Sequence, residues 1–178
     1  MIRKGDARDI GAVVKIYDNI LEKEAAGKKR IGWVKGVYPT ERTAMEALEC
    51  GELFVCEEKG VIVAAARINQ KQVPEYANAC WEYDVPDSRI MVLHTLVVDP
   101  GEEGKGWGRR FVRFYEEYAL QNGCGYLRMD TNEINTAARS LYKKLGYREA
   151  GIVPCNFNGI EGVQLVCLEK KVAQNVAT

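Results

Sequence analysis

The stretch MVLHTLVVDPGEEGKGWGRR, residues 91–110, opens as a run of apolar and β-branched residues, the composition of a buried strand. It breaks at Asp99-Pro100-Gly101, then sets Gly104, Gly106 and Gly108 at alternate positions, and an amphipathic helical pattern follows at once. Strand, glycine-rich turn and helix start, in that order, are the parts of an anion site. The first N–H groups of a helix have no partner within it, and the helix dipole favours negative charge there. Glycine lets the main chain approach a phosphate with no Cβ in the way. Taken alone, the same glycines also fit a turn that merely reverses the chain.

Downstream, residues 107–122 place Phe111, Phe114, Tyr115 and Tyr118 on one face of a helix, with Gly123 set to end it. Residues 126–131 read as a strand. A short helix over 135–145 has Ala138, Leu141, Tyr142 and Leu145 on one side and closes at Gly146. Strands over 147–152 and 163–170 follow, with a Gly/Asn-containing loop between them, and residues 173–178 read as a frayed end. Upstream, Ile2-Arg3-Lys4 is a short first strand. Asp6 is an N-cap with Asp9 as its partner, and the apolar spacing predicts a helix over 7–26 that Gly27 ends. Residues 28–39 are basic and irregular. Thr40 caps a second helix to about residue 50, and strands over 53–57 and 61–69 are joined by Glu58-Lys59-Gly60 as a hairpin. Residues 71–89, with two prolines, read as a long loop. The order predicts one α/β domain over residues 1–178, with a mixed sheet.

Composition excludes several classes. Lys+Arg and Asp+Glu are 25 each, so no net field draws the chain to nucleic acid or an anionic membrane. No apolar run is long enough to span a bilayer, and MIRKGDARD lacks the apolar core of a signal peptide. The six cysteines form no C-x-x-C pair, and with a single histidine no metal site is expected. They read as reduced, mostly packed thiols of a cytoplasmic protein.

Two stretches together carry a family resemblance. L-V-V-D-P followed by G-K-G-W-G resembles the acetyl-CoA loop of the GNAT family of N-acetyltransferases, written Q/R-x-x-G-x-G/A. N-T-A-A-R-S-L-Y-K-K-L-G-Y, residues 135–147, resembles its second signature, N-x-x-A-x-x-L-Y-x-K-x-G-F. The resemblance runs from the first strand to the last. It implies the GNAT-like fold, a mixed central sheet of six to seven strands flanked by about four helices. It also implies an acetyl-CoA-dependent acyltransferase that moves an acetyl group directly to a primary amine of a small molecule or peptide. Members of the family often dimerise, which leaves a homodimer open.

Carried onto this chain, the resemblance gives each residue an expected role. Glu103, Gly104, Lys105, Gly106, Trp107, Gly108 and Arg109 cradle the pyrophosphate, mainly through main-chain N–H. Glu103 departs from the family's Gln or Arg and sets an acid beside phosphate, with Lys105, Arg109 and Arg110 near to offset it. Leu96, Val97 and Val98 pair with the pantetheine arm, and one N–H polarises the thioester carbonyl. Asn135 and Ala138 match signature positions, Asn135 serving also as an N-cap. Tyr142 matches the signature tyrosine and donates a proton to the departing sulfur, against the plain alternative of a core tyrosine. His94 is the candidate base, with Glu82 and Asp84 behind it; strand alternation puts it on the face of Leu96 unless a bulge intervenes. The plain alternative for His94 is a strand histidine bonded to its surroundings. Trp81, Tyr83 and Tyr76 are placed to wall an acceptor pocket or to pack the long loop. Rival readings are a silent acyl-CoA-binding sensor on the same fold, a covalent route through Cys124 or Cys167, and another nucleotide binder. The last lacks both Walker and G-x-G-x-x-G spacing.

Overall fold

The computed structural model describes residues 1–172, so the end expected to fray, 173–178, lies outside the described residues. Helix α1 (Ile10–Ala25) starts from a 3-10 turn over Ala7–Asp9, and Asp6 and Asp9 form the reciprocal capping box that their spacing predicts. Helix α2 is Glu41–Glu49, boxed by Thr40 and Thr43. Helices α3 (Trp107–Gln121) and α4 (Thr136–Lys144) follow the predicted spans closely. The strands are β1 (Ile2–Lys4), β2 (Leu53–Glu58), β3 (Val61–Asn69), β4 (Ile90–Val98), β5 (Tyr126–Asn132), β6 (Arg148–Phe157) and β7 (Ile160–Lys171). They form one seven-stranded sheet in the order β1-β2-β3-β4-β5-β7-β6. Among the described residues only the central β4–β5 pair is parallel.

The last hairpin is longer than its apolar pattern predicts. The residues read as a loop between β6 and β7 are strand, except for Asn158-Gly159. Both turn residues have positive φ, 51° and 78°, the geometry that matches strand twist in a two-residue hairpin. Pro154 is tolerated because β6 is an edge strand, paired only with β7.

Helices α1 and α2 cover one face of the sheet, packing on Leu53, Val55, Ala65 and Val97. Helices α3 and α4 cover the other, where Phe111, Tyr115 and Tyr142 meet Met91, Leu93, Leu127 and Met129. The loop 71–89 closes the rest of the first face, with Tyr76 against Ile90, Val92, Leu165 and Cys167. Arg128 fastens this loop: its guanidinium lies 4.0 Å from the Trp81 ring, and Nη2 donates to the Tyr83 carbonyl at 2.9 Å. No described helix is long and apolar enough to cross a membrane.

The feature that creates a site is the end of the parallel pair. Strands β4 and β5 pair from Ile90↔Tyr126 to Leu93↔Met129, and no further pairs continue the ladder. From there the sheet is split.

Candidate active site

Strand β4 changes face at the split. Its register against β3 slips by one residue between Val97 and His94, and Thr95 takes φ 52°, which a β-branched residue rarely adopts. Leu93 and Leu96, three apart, consequently both pack on the α3 side. The alternation expected of His94 and Leu96 therefore fails, and the bulge is the physical reason. The Thr95 and Tyr38 hydroxyls bond each other, tying the bulge to the segment between α1 and α2. That segment is itself held by Glu24, whose carboxylate accepts from the N–H groups of Ile31 and Gly32 at 2.7 and 2.9 Å.

The loop after β4 is pinned by Asp99, which accepts from Gly101 N at 2.8 Å and from Asn19 of α1 at 3.0 Å. Gly104 and Gly106 then take φ 78° and 82°, and a Cβ on either would meet open space. Backbone conformation, not crowding, selects glycine there. At Gly108 the reason is packing, since a Cβ would stand 3.3 Å from Leu141 of α4. Gly106 caps α3 with no side-chain bond, and the first helical bond runs from Arg110 N to Gly106 O. The N–H groups of Trp107, Gly108 and Arg109 are left pointing out of the helix start.

All three residues line a cavity of about 500 Å³ that runs through the split. Leu96, Val97 and Val98 form one wall, and Glu103, Gly104, Gly106, Trp107, Gly108 and Arg109 the mouth. Asn135, Ala138 and Tyr142 line it from α4. Lys105 does not line it; its ammonium bonds Glu102 at 2.9 Å. Glu103 is paired with Lys29 from the segment after α1, a partner that sequence spacing could not reveal. The Asn135 side-chain oxygen caps α4, accepting from Ala138 N at 3.2 Å. Arg139 is committed to Glu149. The Tyr142 hydroxyl has no hydrogen-bond partner among the described residues. Burial raises its pKa well above the ordinary value, so it enters the cavity protonated.

A second cavity, about 480 Å³, opens on the α2 side. His94 lies here and not beside the glycine loop. Its Nε2 is 2.8 Å from Asn69 Oδ1, an oxygen that also accepts from Lys71 N. The proton therefore sits on Nε2. Burial, with Arg67 adding to it, holds the ring's pKa down at about 4. Lys71, Gln72, Val73 and Pro74 bring the start of the long loop to this cavity. Tyr76, Trp81 and Tyr83 line neither cavity, and their rings pack the loop onto the sheet. Glu82 is engaged by Arg148, and Asp84 also lies outside both cavities.

Tyr38, Thr95 and Asp130 border both cavities, and sequence reasoning singled out none of them. β5 also carries Arg128, Thr131 and Asn132, so the acid at Asp130 does not stand out in its sequence. All six cysteines are free, and Cys50 and Cys80 are exposed rather than packed. Burial raises the thiol pKa of both Cys124 and Cys167, the latter to about 12. Neither lines a cavity. Nothing in these surroundings favours a thiolate nucleophile.

Comparisons with known proteins agree with this geometry. The model of the Acetyltransferase (GNAT) family matches residues 20–147. An uncharacterized N-acetyltransferase of Bacillus subtilis, YhfO, is 32% identical over 150 residues, 83% of this chain and 89% of that protein. The thialysine N-epsilon-acetyltransferase of Bos taurus is 26% identical over 151 residues, 84% of each chain. Among solved structures, a GNAT-family acetyltransferase of Streptococcus agalactiae superposes with a TM-score of 0.82 at 21% identity, covering 98% of this chain and 96% of its own. The Salmonella typhimurium protein yncA, solved with its cofactor acetyl-CoA, has a TM-score of 0.68 at 18% identity over 99% of this chain and 96% of its own.

Proposed function

From the premise that the chain belongs to the Acetyltransferase (GNAT) family, we propose that it carries an acetyl group from acetyl-CoA directly to a primary amine of a small molecule or peptide. The observation that carries this reading is the uncapped start of α3, set at the mouth of the split beside two left-handed glycines. Those N–H groups suit a pyrophosphate. The edge of β4 beyond Leu93 has lost its β5 partner, so its main chain is free to pair with the amides of a pantetheine arm. An N–H on that edge can also donate to the thioester oxygen as negative charge builds on it. When bound, acetyl-CoA supplies the activated acetyl group; the protein supplies position, dipoles and protons.

Tyr142 is the acid in this scheme. It is protonated, without a hydrogen-bond partner among the described residues and on the cavity wall, and it delivers its proton to the sulfur as the C–S bond breaks. The raised thiols of Cys124 and Cys167 support direct attack by the amine. The sensor reading drew its force from Glu103, and the pairing with Lys29 removes the unbalanced charge on which it rested. We further propose a cytoplasmic protein of one domain, to which the six free thiols lend support.

The test is thiol release from acetyl-CoA with a panel of amines: free amino acids, thialysine, spermidine and a peptide with an N-terminal alanine. Intersecting initial-rate lines are expected, and parallel lines would favour the covalent route. Tyr142→Phe should lower kcat by about tenfold or more while acetyl-CoA affinity stays within about twofold. Acetyl-CoA binding with no transfer to any amine would instead support the sensor.

A further inference from the structure

A primary ammonium, with a pKa near that of lysine at about 10, cannot attack a thioester until it sheds a proton. In the acetyltransferase reading that proton needs an acceptor on the side from which the amine arrives. Asp130 follows Met129, the last residue of β5 that pairs with β4, so it stands where the sheet opens. Among the described residues, its carboxylate is the one that lines both cavities. We infer that Asp130 is the catalytic base of this site and that Tyr76 positions it, an inference that rests on the acetyltransferase reading.

The Tyr76 hydroxyl donates to Asp130 Oδ2 at 2.6 Å. Tyr76 is buried, edge-on to Trp81 at 5.2 Å, and so cannot swing away. Oδ1 has no partner among the described residues. One oxygen is thus anchored and the other is free for an ammonium. Tyr142 reaches the split from the α3–α4 face. Asp130 alternates with Met129 and points to the opposite face, where Tyr76 lies. Acid and base stand on the two sides of the opening.

The groups facing Asp130 are few. Tyr76 and Glu75 come from the long loop, Cys167 from β7, Cys155 from β6, Tyr142 from α4 and Tyr38 from the segment after α1. Arg67 and His94 share its second cavity. Burial dominates and pushes the carboxyl up to about 6, with the Tyr76 bond pulling the other way. A base poised there is ionised at neutral pH and stronger than an ordinary aspartate. His94, held near 4 with Nε2 committed to Asn69, is the weaker base.

The protons balance. An R–NH3⁺ group carries three N–H bonds and the product amide keeps one. One proton passes to Asp130 and from there to solvent as the nitrogen lone pair forms the N–C bond. The C–S bond breaks, and the sulfur takes a proton from Tyr142. The nitrogen's second surplus proton restores the Tyr142 hydroxyl. Nothing is oxidised or reduced.

The experiment uses acetyl-CoA and the amine of the panel that wild type acetylates fastest. Asp130→Asn should lower kcat by about 100-fold or more near pH 7 with acetyl-CoA KM within about twofold, and Asp130→Glu should recover part of it. The acidic limb of the wild-type kcat profile should have its midpoint near 6, the value burial gives Asp130. That limb should vanish in Asp130→Asn and move to higher pH in Tyr76→Phe, where the anchoring bond is lost. Independently of turnover, the ¹³C carboxyl resonance of Asp130 in the folded protein should titrate near 6. A limb that instead disappears in His94→Gln, undiminished turnover in Asp130→Asn, or an Asp130 resonance titrating near 4 would each overturn the inference. If wild type acetylates no amine, the acetyltransferase reading falls first and the inference with it.

Discussion

Glu103 stands where the family pattern has Gln or Arg, and Lys29 answers it. The pair is partly exposed, with Glu103 at 48%, so it adds little to stability. Its effect is local: it offsets the negative charge of Glu103 at the mouth of the cavity. Lys29→Met should uncover a carboxylate beside the pyrophosphate and weaken acetyl-CoA binding by about three- to tenfold, a charge effect of about 1 kcal/mol. Glu103→Gln should strengthen binding by a similar factor. Calorimetry at low and high salt checks both, since screening should shrink each change. That Gly104, Gly106, Gly108 and Tyr142 come together on one cavity is legible because a short local pattern marks them. Lys29 is not, because an ion pair between a loop and a distant turn leaves no trace in spacing. The place of Asp130 is hidden for a similar reason: it depends on where β4 and β5 part, which β5 alone does not encode.

At the scale of elements, strong periodicity was read well and exceptions to it were not. Helix α3 has an apolar stripe and a glycine at each end, and its span follows from them. Strand β4 obeys alternation as far as Leu93 and breaks it at Thr95, where the hydroxyl pair with Tyr38 holds a backbone conformation worth about 1–3 kcal/mol of strain. No residue type announces that bulge. The β6–β7 hairpin shows the opposite failure. Asn158-Gly159 is a strong turn signal, but Pro154 and the polar residues around it disguise the strand that precedes it. The turn matters to the site, since Phe157 and Asn158 line both cavities. Gly159 has φ 78°, and a Cβ there would stand 3.2 Å from Val37. Gly159→Ala should therefore destabilise the fold by about 1–2 kcal/mol. Urea unfolding should report a lower midpoint at unchanged slope.

At the scale of the molecule, the order β4-β5-β7-β6 inserts the last strand between β5 and β6. The site exists because β5 follows β7 away from β4. The open sheet leaves two titratable groups, His94 and Asp130, half-buried on one face, and both bear on folding. Asp130 rises from 3.8 to about 6 on folding. It favours the folded state fully below pH 4 and loses that contribution as pH rises through 6, a change of up to about 3 kcal/mol. His94 falls from 6.5 to about 4. Its contribution is complete above pH 6.5 and is lost as pH falls through 4, again up to about 3 kcal/mol. Between these limits the two slopes oppose each other in the wild type. Asp130→Asn keeps an oxygen for Tyr76 and removes one slope, so its stability gain over wild type should grow from nothing near pH 4 to its full size above pH 6. His94→Gln keeps a donor for Asn69 and removes the other, so its difference from wild type should run the opposite way, largest at low pH. Urea titrations of the three proteins across this range check the pair, because carboxylates common to all cancel in the differences. A flat difference for Asp130→Asn would mean that its carboxyl is not held in the raised state that suits it to take a proton from an amine.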